Sequence, residues 1–188
     1  MKKRMMYNFS SKLILIVILT LLIISCNEDD VIEPTEENLL INTSFENNGR
    51  FSSDGWTLSS LSDSSNDVPP NGGNFSLVID ASQPPEVYSS IKVPVKTQYS
   101  KNRLSFWSKA SGVSSNVYGR AVLSLVRNGA EIQSQSIQID VIKWQLFTLE
   151  DSFSVAEGDS FLVKFSGGIS QLLSGKTYFD LCQLQGIE

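Results

Sequence analysis

The 188-residue chain predicts an all-β protein, an antiparallel β-sandwich of jelly-roll type, behind an N-terminal segment of different character. Three observations carry the prediction. From Leu39 onward, short runs of alternating apolar and polar residues are separated by Gly, Ser, Asn and Pro. No stretch of that region carries an apolar stripe at helical spacing, and eight or nine short strands at this spacing fit a two-layered antiparallel structure. The tripeptide Arg127-Asn128-Gly129 between two such runs supplies the positive φ angles of a two-residue hairpin turn.

Eight runs have the period of two expected of half-buried strands: 75–80, 87–95, 103–109, 118–129, 132–140, 144–153, 160–167 and 177–186. Alternation places Phe75, Leu77, Ile79, Leu104, Phe106, Ala121, Leu123, Leu125, Phe147, Leu149, Phe161, Val163 and Phe165 on the core side. Each buried Phe or Leu contributes about 1.5–3 kcal/mol. The opposite positions are mostly polar, with one conspicuous exception. In RLSFWSKA (103–110), Leu104 and Phe106 take the inner side, so Trp107 faces away from the core. Tyr88, Tyr118 and Arg120 are read as facing outward too, with Gln133 and Gln135 as further amide groups. Trp56 and Trp144 sit beside turns and read as structural. The Ser- and Asn-rich stretch 59–74 reads as low-complexity linkage bordering one rim of the sandwich.

The first 25 residues belong to another category. Lys2, Lys3, Arg4 and Lys12 precede LILIVILTLLII (13–24), an apolar run shorter than the roughly 20 residues that span a bilayer. The run ends in IISC and resembles a bacterial lipobox, which implies cleavage before Cys26 and lipidation of that cysteine. The acidic stretch NEDDVIEPTEEN has too little apolar content to pack and reads as a flexible tether. A cysteine followed at once by acidic residues is similar to the surface-export signal of Bacteroidetes lipoproteins. That resemblance implies an outer-membrane lipid anchor on the cell surface; the periplasmic leaflet is the alternative. The expected organisation is therefore a signal peptide (1–25), a lipidated Cys26 with its tether (26–38) and one sandwich domain (39–188).

Composition excludes several functions. Cleavage before Cys26 leaves 11 Lys and Arg against 20 Asp and Glu, a net charge of −9, which disfavours nucleic acid and anionic lipid surfaces. The chain has no histidine, the commonest general base and metal ligand. It carries no Gly-x-Ser-x-Gly elbow between a strand and a helix and no phosphate-cradling glycine loop. Nothing in the spacing unites two carboxylates for glycoside hydrolysis. The expectation is a non-enzyme. Cys182 is the only cysteine left besides Cys26, so no internal disulfide is expected, and it reads as a buried, inert thiol.

Landmarks then occur in a familiar order: LLINTSFENNGRFSSDGW, GGNFSLVI, YSKNRLSFWSKA, KWQLFTLEDSFSV, DSFLVKFSG and GKTYFDLCQL. Over 39–186 this resembles the galactose-binding-like carbohydrate-binding modules of families four, nine and twenty-two. The resemblance implies that Glu46 of the opening Phe-Glu and Asp180 of the closing strand meet and hold a structural calcium ion. A hard cation takes six to eight oxygens, so carbonyls near Gly72–Asn74 would complete the shell. The alternative is that backbone amides or a lysine cap both carboxylates without metal. It also implies binding of a poly- or oligosaccharide, with a pyranose stacked on an aromatic ring. Trp107, Tyr118, Arg120 and Tyr88 are the candidates, provided that they share one sheet. No sugar-contacting position matches a diagnostic motif. Two functions follow: a surface lipoprotein that captures glycan for glycan-processing or transport proteins, or a non-catalytic scaffold or adhesion lipoprotein whose sandwich contacts a protein.

Overall fold

The structure is a computed structural model that describes residues 37–80, 86–111, 119–168 and 175–187. Cys26, the leader and most of the tether lie outside the described residues, as does Tyr118. Among the described residues the chain forms only strands and turns. These are β1 (Glu46–Asn47), β2 (Arg50–Phe51), β3 (Ser62–Ser65), β4 (Ser76–Asp80), β5 (Ser89–Pro94) and β6 (Lys101–Ser111). Then follow β7 (Gly119–Arg127), β8 (Ala130–Ile139), β9 (Gln145–Asp151), β10 (Ser160–Ser166) and β11 (Lys176–Ile187).

All eight periodic runs are strands. β1 and β2 pair as a small ribbon, and the rest form two antiparallel sheets. One has four strands in the order β5-β10-β7-β8; the other has five, β3-β4-β11-β6-β9. The β7–β8 hairpin turns on Asn128 (φ 51°) and Gly129 (φ 82°), as the tripeptide requires. The stretch 59–74 is more than linkage. Ser62–Ser65 pairs with Ser76–Ile79 as the edge strand β3, which its lack of apolar residues concealed.

Alternation is exact in β6: Asn102, Leu104, Phe106, Ser108 and Ala110 are buried while the residues between them are partly exposed. Of the predicted core positions only Phe75 stays partly exposed, with its ring edge-on to Phe51 at 6.5 Å. The two sheets meet through aromatic rings. Phe165 of β10 stacks on Phe179 of β11 at 4.2 Å and 9°, and Phe106 of β6 touches both at 5.3 and 6.0 Å. Trp56 caps the cluster, packed on Phe165 at 5.3 Å and on Phe45 at 5.1 Å. Its structural assignment therefore holds. Cys182 is free and fully buried, and burial together with Asp180 pushes its thiol well above the ordinary range.

Phe165 lies where four rings converge, so Phe165→Ala should cost about 3–5 kcal/mol, the range for deleting a fully buried ring. Chemical denaturation followed by tryptophan emission measures this through Trp56; a loss below about 1 kcal/mol would mean that the ring cluster does not join the sheets.

Candidate functional site

Sequence reading draws attention to a pair of carboxylates and to the outward-facing aromatics. The structure brings the carboxylates together. Glu46 starts the small β1–β2 ribbon, and its Oε1 accepts the backbone N–H groups of Asn74 and Phe75. Asp180 sits in β11 beside a bulge formed where Leu181 takes a positive φ of 49°. Its Oδ1 accepts the Leu181 N–H at 2.8 Å, while Oδ2 is buried with no hydrogen-bond partner. Gly72 and Gly73 run between the two. A Cβ on Gly72 would lie 2.7 Å from Asp180 Oδ2, and one on Gly73 would collide with the Glu46 carboxylate. Only glycine lets the backbone pass this close.

Burial, opposed by the Leu181 N–H and reinforced by the charge of Glu46, pushes the Asp180 carboxyl up to about 7. Among the described residues no Lys or Arg forms an ion pair with Glu46 or Asp180. Among the described residues no group of three or more Asp, Glu, His or Cys side chains converges. The donor set is two carboxylates converging on one Gly-Gly backbone. That set fits a hard cation completed by backbone oxygens, with the buried, unpaired Asp180 Oδ2 as the atom most in need of one. The amide-capped alternative describes Glu46 but leaves that oxygen unsatisfied.

The outward-facing candidates separate into two groups. Between β6 and β7 the chain crosses from the five-stranded to the four-stranded sheet. Outward positions before and after the crossing thus face opposite sides of the sandwich. Trp107 and Arg120 consequently do not share a sheet, and a platform built from Trp107, Tyr118 and Arg120 does not form on one sheet. Gln133 and Gln135 also need correction. They pair with Leu125 and Leu123 and share the inward side of β8 with Ile137 and Ile139. They line a polar groove between the β8 and β9 edges with Asp151 and Phe153.

On the outer face of the four-stranded sheet, Tyr88 and Arg120 do come together, through a residue not singled out from sequence. Glu86, just before β5, accepts the Tyr88 hydroxyl and the Ser166 hydroxyl, and Arg120 Nη1 at 3.2 Å. Burial first, then the bond to Glu86 and its charge, pushes the Tyr88 phenol up to about 12, so it stays a donor. Lys164 of β10 places its ammonium 5.2 Å from the centre of the Tyr88 ring and bonds Glu131 of β8 at 2.7 and 2.9 Å. β7 lies between β10 and β8, so this ion pair arches over the central strand. Beneath it, outward-facing Val122, Ser124 and Val126 are buried, at 8, 0 and 6% exposure. Lys164 was legible in the alternation of FLVKF; Glu86 was not, since it precedes the strand and belongs to no face.

The outer face of the five-stranded sheet carries Trp107, whose cross-strand neighbours are Asp180 and Leu146. Trp144 lies on this side rather than in the core. Its Nε1 donates to Asp67 at 3.0 Å, and its ring meets Tyr178 edge-on at 6.2 Å. Lys109 stands over both rings, at 5.4 and 4.9 Å, and bonds Asp67. Burial opposes ionisation of Asp67, but the bonds from Lys109 and Trp144 prevail and hold its carboxyl below the usual range. The 66–74 loop thus lies along the face that bears Trp107.

No protein-family model and no curated protein sequence matches this chain. Solved structures do. The CBM22-1 xylan-binding domain from Paenibacillus barcinonensis Xyn10C aligns with a TM-score of 0.56 at 17% identity, over 81% of this chain and 96% of that one. A structure described as Family 16 Carbohydrate Binding Module-2 aligns with a TM-score of 0.57 at 17% identity, over 80% and 100%. The enzymatically active domain of bacteriophage CBA120 tailspike protein 4 gives 0.60 at 17%, over 80% of this chain but 21% of that chain. The present chain thus spans about a fifth of the tailspike domain. At such identities the likeness establishes the fold alone, a β-sandwich of the kind seen in these carbohydrate-binding modules, as the ordered landmarks suggested.

The raised carboxyl of Asp180 fixes a sign. An acid with an elevated folded-state value favours folding below its unfolded value, near 3.8, and that contribution is lost as pH rises towards about 7. In chelator, the stability of the wild type should therefore fall between these limits relative to Asp180→Asn. Denaturant midpoints of both proteins across that range measure the difference; parallel curves would place Asp180 in water.

Proposed function

We propose that the protein is a non-catalytic carbohydrate-binding lipoprotein that takes its glycan on the outer face of the four-stranded sheet. The observation that carries this reading is the Glu86-centred group. One carboxylate fixes the Tyr88 ring, the Arg120 guanidinium and the Ser166 hydroxyl in a single cluster. A pyranose presents axial C–H bonds to a ring face and hydroxyls to its rim, and this cluster offers both kinds of partner. Tyr118, next to β7, belongs to the same proposal. The likeness to modules whose descriptions name xylan or carbohydrate binding supports the substrate class.

In this reading Glu46 and Asp180 hold calcium with backbone oxygens of the Gly72–Asn74 loop. The ion would supply positive charge to the two carboxylates and pin the loop to β11. It takes no part in recognising the sugar. Cys26 carries the lipid that anchors the domain to the outer membrane, on the cell surface, where captured glycan passes to processing or transport proteins. The absence of histidine and the open sheet faces favour capture over catalysis.

A second reading, a scaffold that contacts protein, rests on the opposite face. There Leu146 is 51% exposed beside Trp107, an apolar pair that a protein partner would cover. The two readings separate by mutation. Calorimetric titration with xylans, glucans, mannans and galactans should show binding that falls about tenfold or more in Tyr88→Ala and is unchanged in Trp107→Ala. Loss in Trp107→Ala alone would move the site to the other face. Calcium should raise the melting temperature of the wild type and leave Glu46→Ala unmoved; an indifferent wild type would remove the metal.

A further inference from the structure

Resting on the proposed glycan face, the electrostatics of that face say more about what it takes. Its rows run across the sheet. Ser166 lies level with Arg120 and Gln138, with Tyr88 joined to them through Glu86; Ser90 with Lys164, Val122 and Ser136; and Lys92 with Leu162, Ser124 and Ser134. The face thus carries three cations, Lys92, Arg120 and Lys164, against two carboxylates, Glu86 and Glu131. Its charges sum to +1, with Lys92 in excess of the Arg120–Glu86 and Lys164–Glu131 pairs, on a chain whose net charge is −5. Lys92 is exposed and makes no ion pair among the described residues. It is a diagonal neighbour of Lys164 on the adjacent strand, within reach of the same ligand group.

Lys164 decides the matter. Its ammonium stands 5.2 Å from the centre of the Tyr88 ring, and its partner Glu131 reaches it across β7. A neutral saccharide at Tyr88 offers the ammonium only uncharged hydroxyl oxygens, weaker acceptors than the Glu131 carboxylate that already holds it. An anionic saccharide exchanges one ion pair for another and gains Lys92 further along the strand. Successive rows lie about 7 Å apart along the strands, so a chain stacked on Tyr88 lays its next residues over Lys164 and Lys92. We propose that the ligand is an anionic polysaccharide, with Lys164 and Lys92 as the residues that select it over neutral glycans. Its negative group is a uronate carboxylate or a sulfate, chemistries that the same two ammonium groups recognise.

Affinity electrophoresis and calorimetry on the full mature domain test this with three probes: polygalacturonate, a sulfated galactan and a neutral galactan. Either anionic probe should bind at least about tenfold tighter than the neutral one, the ratio that one charge-assisted hydrogen bond supplies. Whichever of the two binds identifies the source of the charge. The preference should shrink with added salt and collapse in Lys164→Met. Should Lys164→Met fail to fold, Lys92→Met and the salt series on the wild type give the same readout. Neutral glycan bound as well as or better than both anions overturns the charge selection while leaving glycan binding intact. No binding to any probe, or to the neutral panel above, overturns both. Anionic binding that is indifferent to salt and to both lysines overturns their role.

Discussion

The contact on which the molecule depends is Phe165 against Phe179, two parallel rings 4.2 Å apart that belong to different sheets. Phe106 and Trp56 close around them. Ladder hydrogen bonds run within each sheet, so the two layers are held together by the side chains of their inner faces, among which these rings sit at the centre. With the rings in register, the inward parity of β10, β11 and β6 is set, and so is the outward parity. Lys164 points out because Phe165 points in. Asp180 lies on the side opposite Phe179, where the Gly72–Gly73 backbone meets it. Both candidate sites are thus by-products of one apolar contact.

Much of this was legible in the chain. Eight runs of period two became eight strands, and the Asn-Gly pair became the hairpin it predicted. Glu46 and Asp180, named from the order of landmarks, lie on either side of the glycine pair. What escaped had identifiable causes. Ser62–Ser65 has no apolar residue, and its strand exists only because β4 offers an edge. Gln133 and Gln135, expected to add amide groups to the outward cluster, share the inward parity of Ile137 and Ile139 instead. Alternation specifies a face relative to one strand's own core, whereas a shared surface requires knowing which sheet each strand joins. Whether Trp107 and Arg120 share a sheet was open in the sequence because the crossover between β6 and β7 leaves no mark in the local pattern. Trp144 sits outside β9 and takes its side from Lys109 and Tyr178, two contacts distant in sequence.

The two outer faces differ in kind. On the five-stranded side the aromatic rings of Trp144 and Tyr178 are occupied by the chain's own Lys109, itself held by Asp67. On the four-stranded side Tyr88 is also covered by a lysine, but that lysine is shared with a partner on the far side of β7. One arrangement is closed within a single neighbourhood. The other spans the sheet, and a competitor for either end can open it.

The way the described chain enters the sandwich has a mechanical consequence. Asn38 is stitched to β11: Leu184 N–H reaches its Oδ1 at 2.9 Å, Leu39 N–H reaches Leu184 O at 2.8 Å, and Asn38 Nδ2 lies 3.5 Å from Cys182 O. β11 is paired on both sides, by β4 and β6. A pull from the N-terminal direction is therefore delivered to an interior strand and shared by its neighbours before any outer strand begins to peel.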